Sequence, residues 1–287
     1  MIAAVPVFVF VIVALAGFLL LSARKFWKYS RLPIHSRLEL YPVPKEGGGR
    51  NVYGGSYFEE TDWWEKPRRI DRITETVDIM KEMLFIKKLF VNQRSLWWAS
   101  YLFHLGIYVM FAWSVLLAVS VFWHPAAVVA IVSVVGALGF ALSTVGVVLL
   151  LVRRLTDHES RKYETPAEFF NLILILTVLL SGIASWLLVA SPFEVAAAVL
   201  TLAPVDVPPL VVVHLVLLGI MLLYIPLSKM SHYVGKYFAF RSVQWDNNPN
   251  LAGSKVDQKT RAAAAEPVQA AWSAPHTRPD SSDEQEA

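Results

Sequence analysis

The chain has 287 residues, of which 55% are hydrophobic and 17% charged, and its mean hydropathy is +0.48. This composition is too apolar for an ordinary soluble domain and favours a membrane protein. Because the chain has no cysteine, disulfides, cysteine-ligated iron–sulfur clusters and covalently attached haem are excluded. The formal net charge of +3 is small, so the placement of the charges is more informative than their sum.

Five apolar stretches are each long enough to cross a bilayer, which takes about 20 helical residues. They lie at 2–21, 97–123, 126–152, 166–189 and 210–230. The fourth begins with Thr165, Pro166 and Glu168, which supply an N-cap, a first-turn proline and a capping-box carboxylate. The predicted fold class is therefore an all-α membrane protein, a bundle of five transmembrane helices.

The positive charges predict the orientation of this bundle. Of the 26 Lys and Arg residues, fifteen lie between Arg24 and Arg94, four within 153–162 and seven from Lys229 onward. By the positive-inside rule, we expect the N-terminus outside, the C-terminus in the cytoplasm and a multi-pass location in the inner (cytoplasmic) membrane. The first span, within 1–22, has no basic n-region, which favours a retained anchor over a cleaved signal peptide.

The segments between the spans have their own patterns. Residues 23–94 are predicted to be a cytoplasmic loop with an amphipathic helix over 69–90, because apolar residues recur there at alternating three- and four-residue spacing. This apolar stripe consists of Ile70, Ile73, Val77, Met80 and Leu84. Basic residues flank it, and two interpretations stay open: a helix lying on anionic lipid, or a docking surface for a cytoplasmic partner.

Two further segments complete the organisation. Residues 191–209 offer room for a short helix on the outer side of the bundle. The tail at 241–287 is rich in Ala, Ser, Pro, Asp and Glu without periodicity, and we expect it to be cytoplasmic and disordered. Residues 95–240 remain as a four-helix membrane domain.

Three histidines mark this membrane domain. His214 and His232 are 18 residues apart, which is five turns and roughly 27 Å of continuous helix. His104 lies about two turns inside the edge marked by Trp97 and Trp98, and antiparallel packing would bring it to the depth of His232. Imidazoles buried in lipid are costly and usually functional, and haem iron accepts paired histidines from facing helices. The alternative interpretation is a set of hydrogen-bonded core histidines.

Two glycines of the spans and three further histidines also bear on this interpretation. Gly106 and Gly219 are expected to let a flat macrocycle approach the backbone, although glycine is common in membrane helices in general. His35, His158 and His276 fall in the predicted loops or tail, where we expect solvated side chains.

Several runs resemble a known family. The run at 99–107, with the sequence Ala-Ser-Tyr-Leu-Phe-His-Leu-Gly-Ile, is similar to the second-helix signature of the gamma, cytochrome b, subunit of respiratory nitrate reductase. The runs at 214–219 and 226–232 are similar to its fifth helix, including the histidine spacing, and 149–155 resembles the end of its third. The resemblance implies a five-helix bundle that binds haem b and passes electrons between a membrane quinone, such as menaquinone, and a cytoplasmic iron–sulfur subunit.

The resemblance also implies roles for single residues. His104 and His232 match the ligands of a cytoplasm-side haem, and His214 matches one ligand of an outer haem. The family's other outer ligand falls where this chain has Ser114. One haem is therefore expected, and a second stays open, with His124 as the other histidine on that side of the bundle.

The chain departs from nitrate reductase in two more respects. The outer-side lysine of those relatives has no counterpart within 126–136, and the loop before the second span is longer. In this loop the chain resembles the gamma-like cytochromes that accompany heterodisulfide-reductase-like iron–sulfur proteins. The resemblance thus favours that branch.

The predicted function is electron transfer within a larger complex. Bis-histidine ligation closes both faces of the iron, so the chain would be a subunit of a quinone-dependent oxidoreductase rather than a stand-alone enzyme. Arg153 and Arg154, at the cytoplasmic end of the third span, are candidate partners for haem propionates, with positive-inside anchoring as the alternative. The direction of electron flow stays open, and no nucleic-acid partner is expected.

Two other classes of protein compete with this interpretation. A haem-free membrane anchor for a cytoplasmic complex would explain the topology and the basic loop, but not the three histidines. A small secondary transporter would usually show an internal repeat or helices broken at mid-membrane, and neither is visible in the sequence.

Overall fold

The computed structural model describes residues 2–32, 72–162, 164–240 and 252–265. Its helices in chain order are α1 (Val5–Arg31), α2 (Arg72–Phe85), α3 (Lys87–Asn92), α4 (Arg94–Phe122), α5 (Ala126–Thr156), α6 (His158–Arg161), α7 (Pro166–Leu188), α8 (Pro192–Thr201), α9 (Pro209–Leu227), α10 (His232–Ala239) and α11 (Lys255–Ala265). Within the described ranges, five helices are long and apolar enough to cross a membrane: α1, α4, α5, α7 and α9. The all-α, five-span fold class is confirmed.

The start of α7 shows how local sequence sets a helix end. The backbone N–H of Thr165 donates to Glu168 Oε2 at 2.6 Å, and Pro166 occupies the first helical position. This capping box satisfies N–H groups that have no partner inside the helix. The predicted short helix after this span is also present, as α8.

A pair of two-residue strands fixes the N-terminal end of α1. Ile2–Ala3 pairs antiparallel with Asp206–Val207, in the connection between α8 and α9. Beside this pair, Phe8 and Val211 are fully buried in one apolar cluster. The start of α1, α8 and the 123–125 connection therefore lie at one end of the bundle, the Lys/Arg-free end. The opposite end, where α4 begins and α9 finishes, is the basic end.

At the basic end, α1 runs on to Arg31, past the predicted limit of the first span at residue 22. Its last turns pack on the end of α9 and on the chain that follows it: Lys25 Nζ donates to the Pro226 carbonyl at 3.0 Å. The Ser22 and Tyr233 hydroxyls hydrogen-bond at 2.6 Å. These contacts explain why the helix continues through a basic stretch that sequence hydropathy does not include.

The α4 and α5 helices pack backbone against backbone. A Cβ atom at Gly106 would collide with the backbone of Ser143, and one at Gly146 would collide with the backbone of Phe103. Gly219 faces the ring of Phe10 in α1 in the same way. The prediction that Gly106 and Gly219 make room for a macrocycle is therefore wrong, because both are used for helix–helix approach.

The predicted fifth span, 210–230, is interrupted near its end. Helix α9 ends at Leu227, one residue after Pro226. An extended Ser228 follows, and then a 3₁₀ turn, Lys229–Ser231. Proline removes a backbone donor, and the Ser228 hydroxyl accepts the N–H of Met230 at 3.2 Å. His232 begins the next helix, α10. The prediction that His214 and His232 share one helical stripe is wrong.

The apolar periodicity over 69–90 predicts a helix outside the spans. The amphipathic helix is confirmed from Arg72 to Phe85, while positions 69–71 lie outside the described residues. It stops at Ile86, whose left-handed φ of 51° separates α2 from α3.

The tail helix α11 belongs to a separate compact unit. Over its length the expectation of disorder is wrong: four alanines at 262–265 favour helix, and Arg261 Nε donates to Asp257 Oδ1 at 3.0 Å. Most of the predicted tail, with His276, and also His35 lie outside the described residues.

Candidate functional site

The structure brings His104 and His232 together at the basic end of the bundle. Their ring centres are 6.0 Å apart, and the ring planes are inclined by 75°. His104 lies on α4 and is half-buried, and His232 is exposed at the first position of α10. The expectation that these two rings meet at one depth is confirmed, although the break after α9, rather than a continuous helix, places His232 there.

A hydrogen bond sets the orientation of the His104 ring. His104 Nδ1 lies 2.6 Å from the carbonyl oxygen of Ser100. Since a carbonyl can only accept, Nδ1 carries the hydrogen and Nε2 keeps its lone pair. A backbone hydrogen bond at one nitrogen is the usual way in which a ligating histidine is oriented.

The spacing of the two rings suits a shared iron. A bond from metal to imidazole nitrogen is about 2 Å long, so two imidazoles on opposite sides of one iron have ring centres roughly 6 Å apart. The observed 6.0 Å agrees with this value. An edge-to-face contact between two aromatic rings covers the same range. The geometry thus fits a bis-histidine haem and also permits a metal-free ring contact.

Two charged residues beside this pair were not identified from the sequence. Lys236 acts electrostatically on both His104 and His232, and its ammonium is 2.6 Å from Glu82 Oε1 on α2. The Glu82 side chain is only 3% exposed. Lys236 could have been identified from the sequence, because it lies one helical turn after His232. Glu82 could not, since only the tertiary fold brings α2 to α10.

The two candidate propionate partners have protein partners of their own. Arg153 Nη1 donates to the Ser95 hydroxyl at 3.3 Å, and Arg154 forms a 3.2 Å ion pair with Glu164. Burial raises the pKa of Glu164, and the charge of Arg154 opposes that shift. Both arginines lie at the basic end, as expected, and their role toward propionates stays a prediction.

His214 has different surroundings. Its Nδ1 lies 3.0 Å from the Ser181 hydroxyl of α7, and the absent side chain of Gly182 makes room for its ring. Phe140 of α5 reaches the same glycine and packs on Trp186, with ring centres 6.1 Å apart. The space beside His214 is therefore filled by helix backbone and aromatic rings.

Neither candidate partner for His214 is in place. Ser114 is exposed, and its hydroxyl donates to the Met110 carbonyl of its own helix at 2.9 Å. His124 is exposed beyond the end of α4. The neighbouring Trp113 is buried and stacks on Trp186, with ring planes 14° apart. These residues do not fit a second haem at His214. His158, expected to be solvated, is exposed.

Other metal chemistry has less support. Among the described residues, no group of three or more His, Cys, Asp or Glu side chains is placed to hold a bare metal ion. An iron already held by a macrocycle needs only two axial ligands, which is what His104 and His232 offer.

In comparisons with known proteins, no family model, no curated protein and no solved structure matches this chain.

Proposed function

We propose that this chain is the haem b subunit of a respiratory oxidoreductase complex of the inner membrane. It transfers electrons between the quinone pool, such as menaquinone, and a cytoplasmic iron–sulfur subunit. The observation that carries the proposal is the His104–His232 pair, with ring centres 6.0 Å apart and the His104 ring held by a backbone hydrogen bond. The resemblance of residues 95–240 to gamma-type cytochromes supports the same function.

The protein's own residues define the chemistry at this pair. Bound haem would supply a one-electron couple, and His104 and His232 would hold its iron. With two protein ligands, oxygen binding would be disfavoured and electron transfer favoured. The hydrogen bond from His104 to Ser100 fixes the ring and makes Nε2 the ligand. Lys236 lies beside the pair, and its charge is offset by Glu82 at 2.6 Å.

The location of the pair supports electron exchange with a partner on the cytoplasmic side. Lys88, Arg94 and Arg161 are exposed at the same end of the bundle, and the positive-inside rule assigns such an end to the cytoplasm. A chain without cysteine cannot ligate the usual iron–sulfur cluster itself. The electron partner on this side is therefore proposed to be a separate iron–sulfur subunit, with Arg153 and Arg154 available to propionates or to that subunit.

One alternative keeps specific support. The ring separation of His104 and His232 is also normal for an edge-to-face contact, so a haem-free anchor subunit fits the same coordinates. A transporter is disfavoured, because the break after α9 lies at the basic end and not at the bilayer centre, where transporters place their discontinuous helices.

A reduced-minus-oxidised visible spectrum of the purified chain separates these functions. The cytochrome proposal expects a b-type α band, and it expects that band to grow when a menaquinol analogue is added without another reductant. A haem-free anchor or a transporter gives no α band. A band that dithionite produces and quinol does not would keep the haem and remove the quinone from the proposal.

A further inference from the structure

The amphipathic helix α2 is oriented with its charged face inward. The members of the apolar stripe within the described residues are all exposed: Ile73 by 78%, Val77 by 43%, Met80 by 48% and Leu84 by 40%. On the opposite side, three acidic residues are buried: Glu75, Asp78 and Glu82. At 100° per residue, Ile73 and Glu82 lie 180° apart around the helix. This is the reverse of a helix that packs its apolar face on a protein core.

The buried acidic face is tied to its neighbours by several contacts. Glu82 pairs with Lys236 at 2.6 Å and accepts the backbone N–H of Lys88 at 2.8 Å. Asp78 lies 3.4 Å from the ammonium of Lys87. Because rotating α2 would break these contacts and leave carboxylates unpaired, its outward apolar face is a fixed property of the fold.

Hydrogen bonds from α4 show how deep α2 reaches. Trp97 Nε1 donates to the Phe85 carbonyl at 2.7 Å, and the Tyr108 hydroxyl donates to the Met83 carbonyl at 2.6 Å. Both donors belong to a membrane-spanning helix, and Tyr108 lies nearly four turns from its start. The C-terminal half of α2 thus lies beside the part of α4 that crosses the membrane.

We propose that the apolar stripe from Ile73 to Leu84 is a lipid-contact surface, inserted among the acyl chains of the leaflet at the basic end. Lipid is favoured over a protein partner because α2 is hydrogen-bonded along a membrane-spanning helix rather than projecting from the bundle. Lys81, exposed at the edge of the stripe, lies where an ammonium reaches anionic headgroups. This proposal does not depend on haem binding.

Single-cysteine labelling tests the proposal directly, because the natural chain has no cysteine. Ile73→Cys, Met80→Cys and Leu84→Cys are spin-labelled in the purified full-length chain, reconstituted in vesicles of phosphatidylcholine and phosphatidylglycerol. Collision rates are measured with oxygen, which concentrates in acyl chains, and with a water-soluble nickel chelate. Phe111→Cys, at a 73% exposed position within a span, is the lipid control, and His158→Cys, at an exposed position on α6 outside the spans, is the water control.

We expect the stripe labels to match Phe111→Cys, with an oxygen-to-nickel collision ratio several-fold above that of His158→Cys. Ratios equal to that of His158→Cys would overturn the proposal, since the stripe would then face water. The proposal would also be overturned by labels that become shielded from both reagents only in native membranes, where other subunits are present. In that case Ile73→Asp with Met80→Asp should release the iron–sulfur partner, and the stripe would be a protein-docking surface.

Discussion

His104 and His214 lie on two spans of one bundle, and their environments differ in what lies opposite the ring. Across from His104 is a second imidazole, His232, at 6.0 Å between ring centres. Across from His214 are the Ser181 hydroxyl and the backbone at Gly182. The first arrangement has the ring spacing of two imidazoles that share one iron, whereas in the second the imidazole is satisfied within the protein.

Depth in the membrane and residue type are therefore not enough to assign a ligand. Both histidines occupy positions that resemble those of the gamma-type cytochromes. Only one has a partner imidazole, because the residue at the other partner position is Ser114, which points its hydroxyl back to its own helix. The aromatic rings of Trp113, Phe140 and Trp186 fill the interior near His214 instead.

The largest expected effect comes from breaking the His104–His232 pair. His104→Ala and His232→Ala should each abolish the low-spin ferric haem signal and most of the bound haem, because either leaves iron with one axial bond. Electron paramagnetic resonance and haem content per chain measure this. His124→Ala, at an exposed position, is the matched control and should change nothing. Survival of the bis-histidine signal in either of the first two variants would show that the pairing is wrong.

A second prediction concerns the α4–α5 contact on which both histidine regions depend. Gly106→Ala should destabilise the fold by about 1–3 kcal/mol, since the new methyl group meets the backbone of Ser143, which cannot move aside cheaply. Gly235→Ala is the control, because its nearest neighbour, Tyr29 Cε2, would be at 3.7 Å. It should be neutral or slightly stabilising through helix propensity. Thermal unfolding in detergent compares them, and equal melting temperatures would refute the packing argument.

Substitutions of the two partners of the Glu82–Lys236 pair should differ in their effect on the basic end. Lys236→Met leaves a 3% exposed carboxylate without its ammonium, which we expect to loosen α2 at a cost of about 1–3 kcal/mol. Glu82→Gln leaves a lysine that is 37% exposed and able to hydrate, so its effect should be smaller. The rate of tryptic cleavage at Lys87 and Lys88, just after α2, reports the loosening. Faster cleavage in Glu82→Gln than in Lys236→Met would reverse the assignment of the buried charge.

The smallest effect is predicted for the other histidine. His214→Ala should keep the full haem content and the low-spin signal, because its ring is held by Ser181 and has no imidazole partner among the described residues. Pyridine haemochrome analysis should give one haem per chain both before and after the change. Two haems in the natural chain, with one lost in His214→Ala, would mean that the outer site forms with a ligand that this account does not identify.

Much of the architecture could be predicted from sequence because bilayer thickness sets the length of each span. The capping box at Thr165 and Glu168 likewise worked, since both partners lie within one turn. The break before His232 could not be predicted with the same rules. Proline is tolerated inside many membrane helices, and the outcome at Pro226 depended on Ser228 and on the contact with Lys25.

The orientation of α2 shows a second limit. Periodicity identified the stripe correctly, but it does not say which side of the helix faces the protein. In water the apolar side turns inward, whereas beside a bilayer lipid can cover it and a charged side can turn inward if it finds partners. Glu82 forms an ion pair with Lys236. Because these residues lie far apart in the sequence, no local pattern predicts the pair.

The pairing of His104 and His232 on one haem iron is tested most directly by near-infrared magnetic circular dichroism of the purified ferric protein, recorded with a haemochrome count. We expect the charge-transfer band of bis-imidazole ligation, with one haem per chain. A chain that binds no haem, or whose haem shows a ligand set other than two imidazoles, would contradict it.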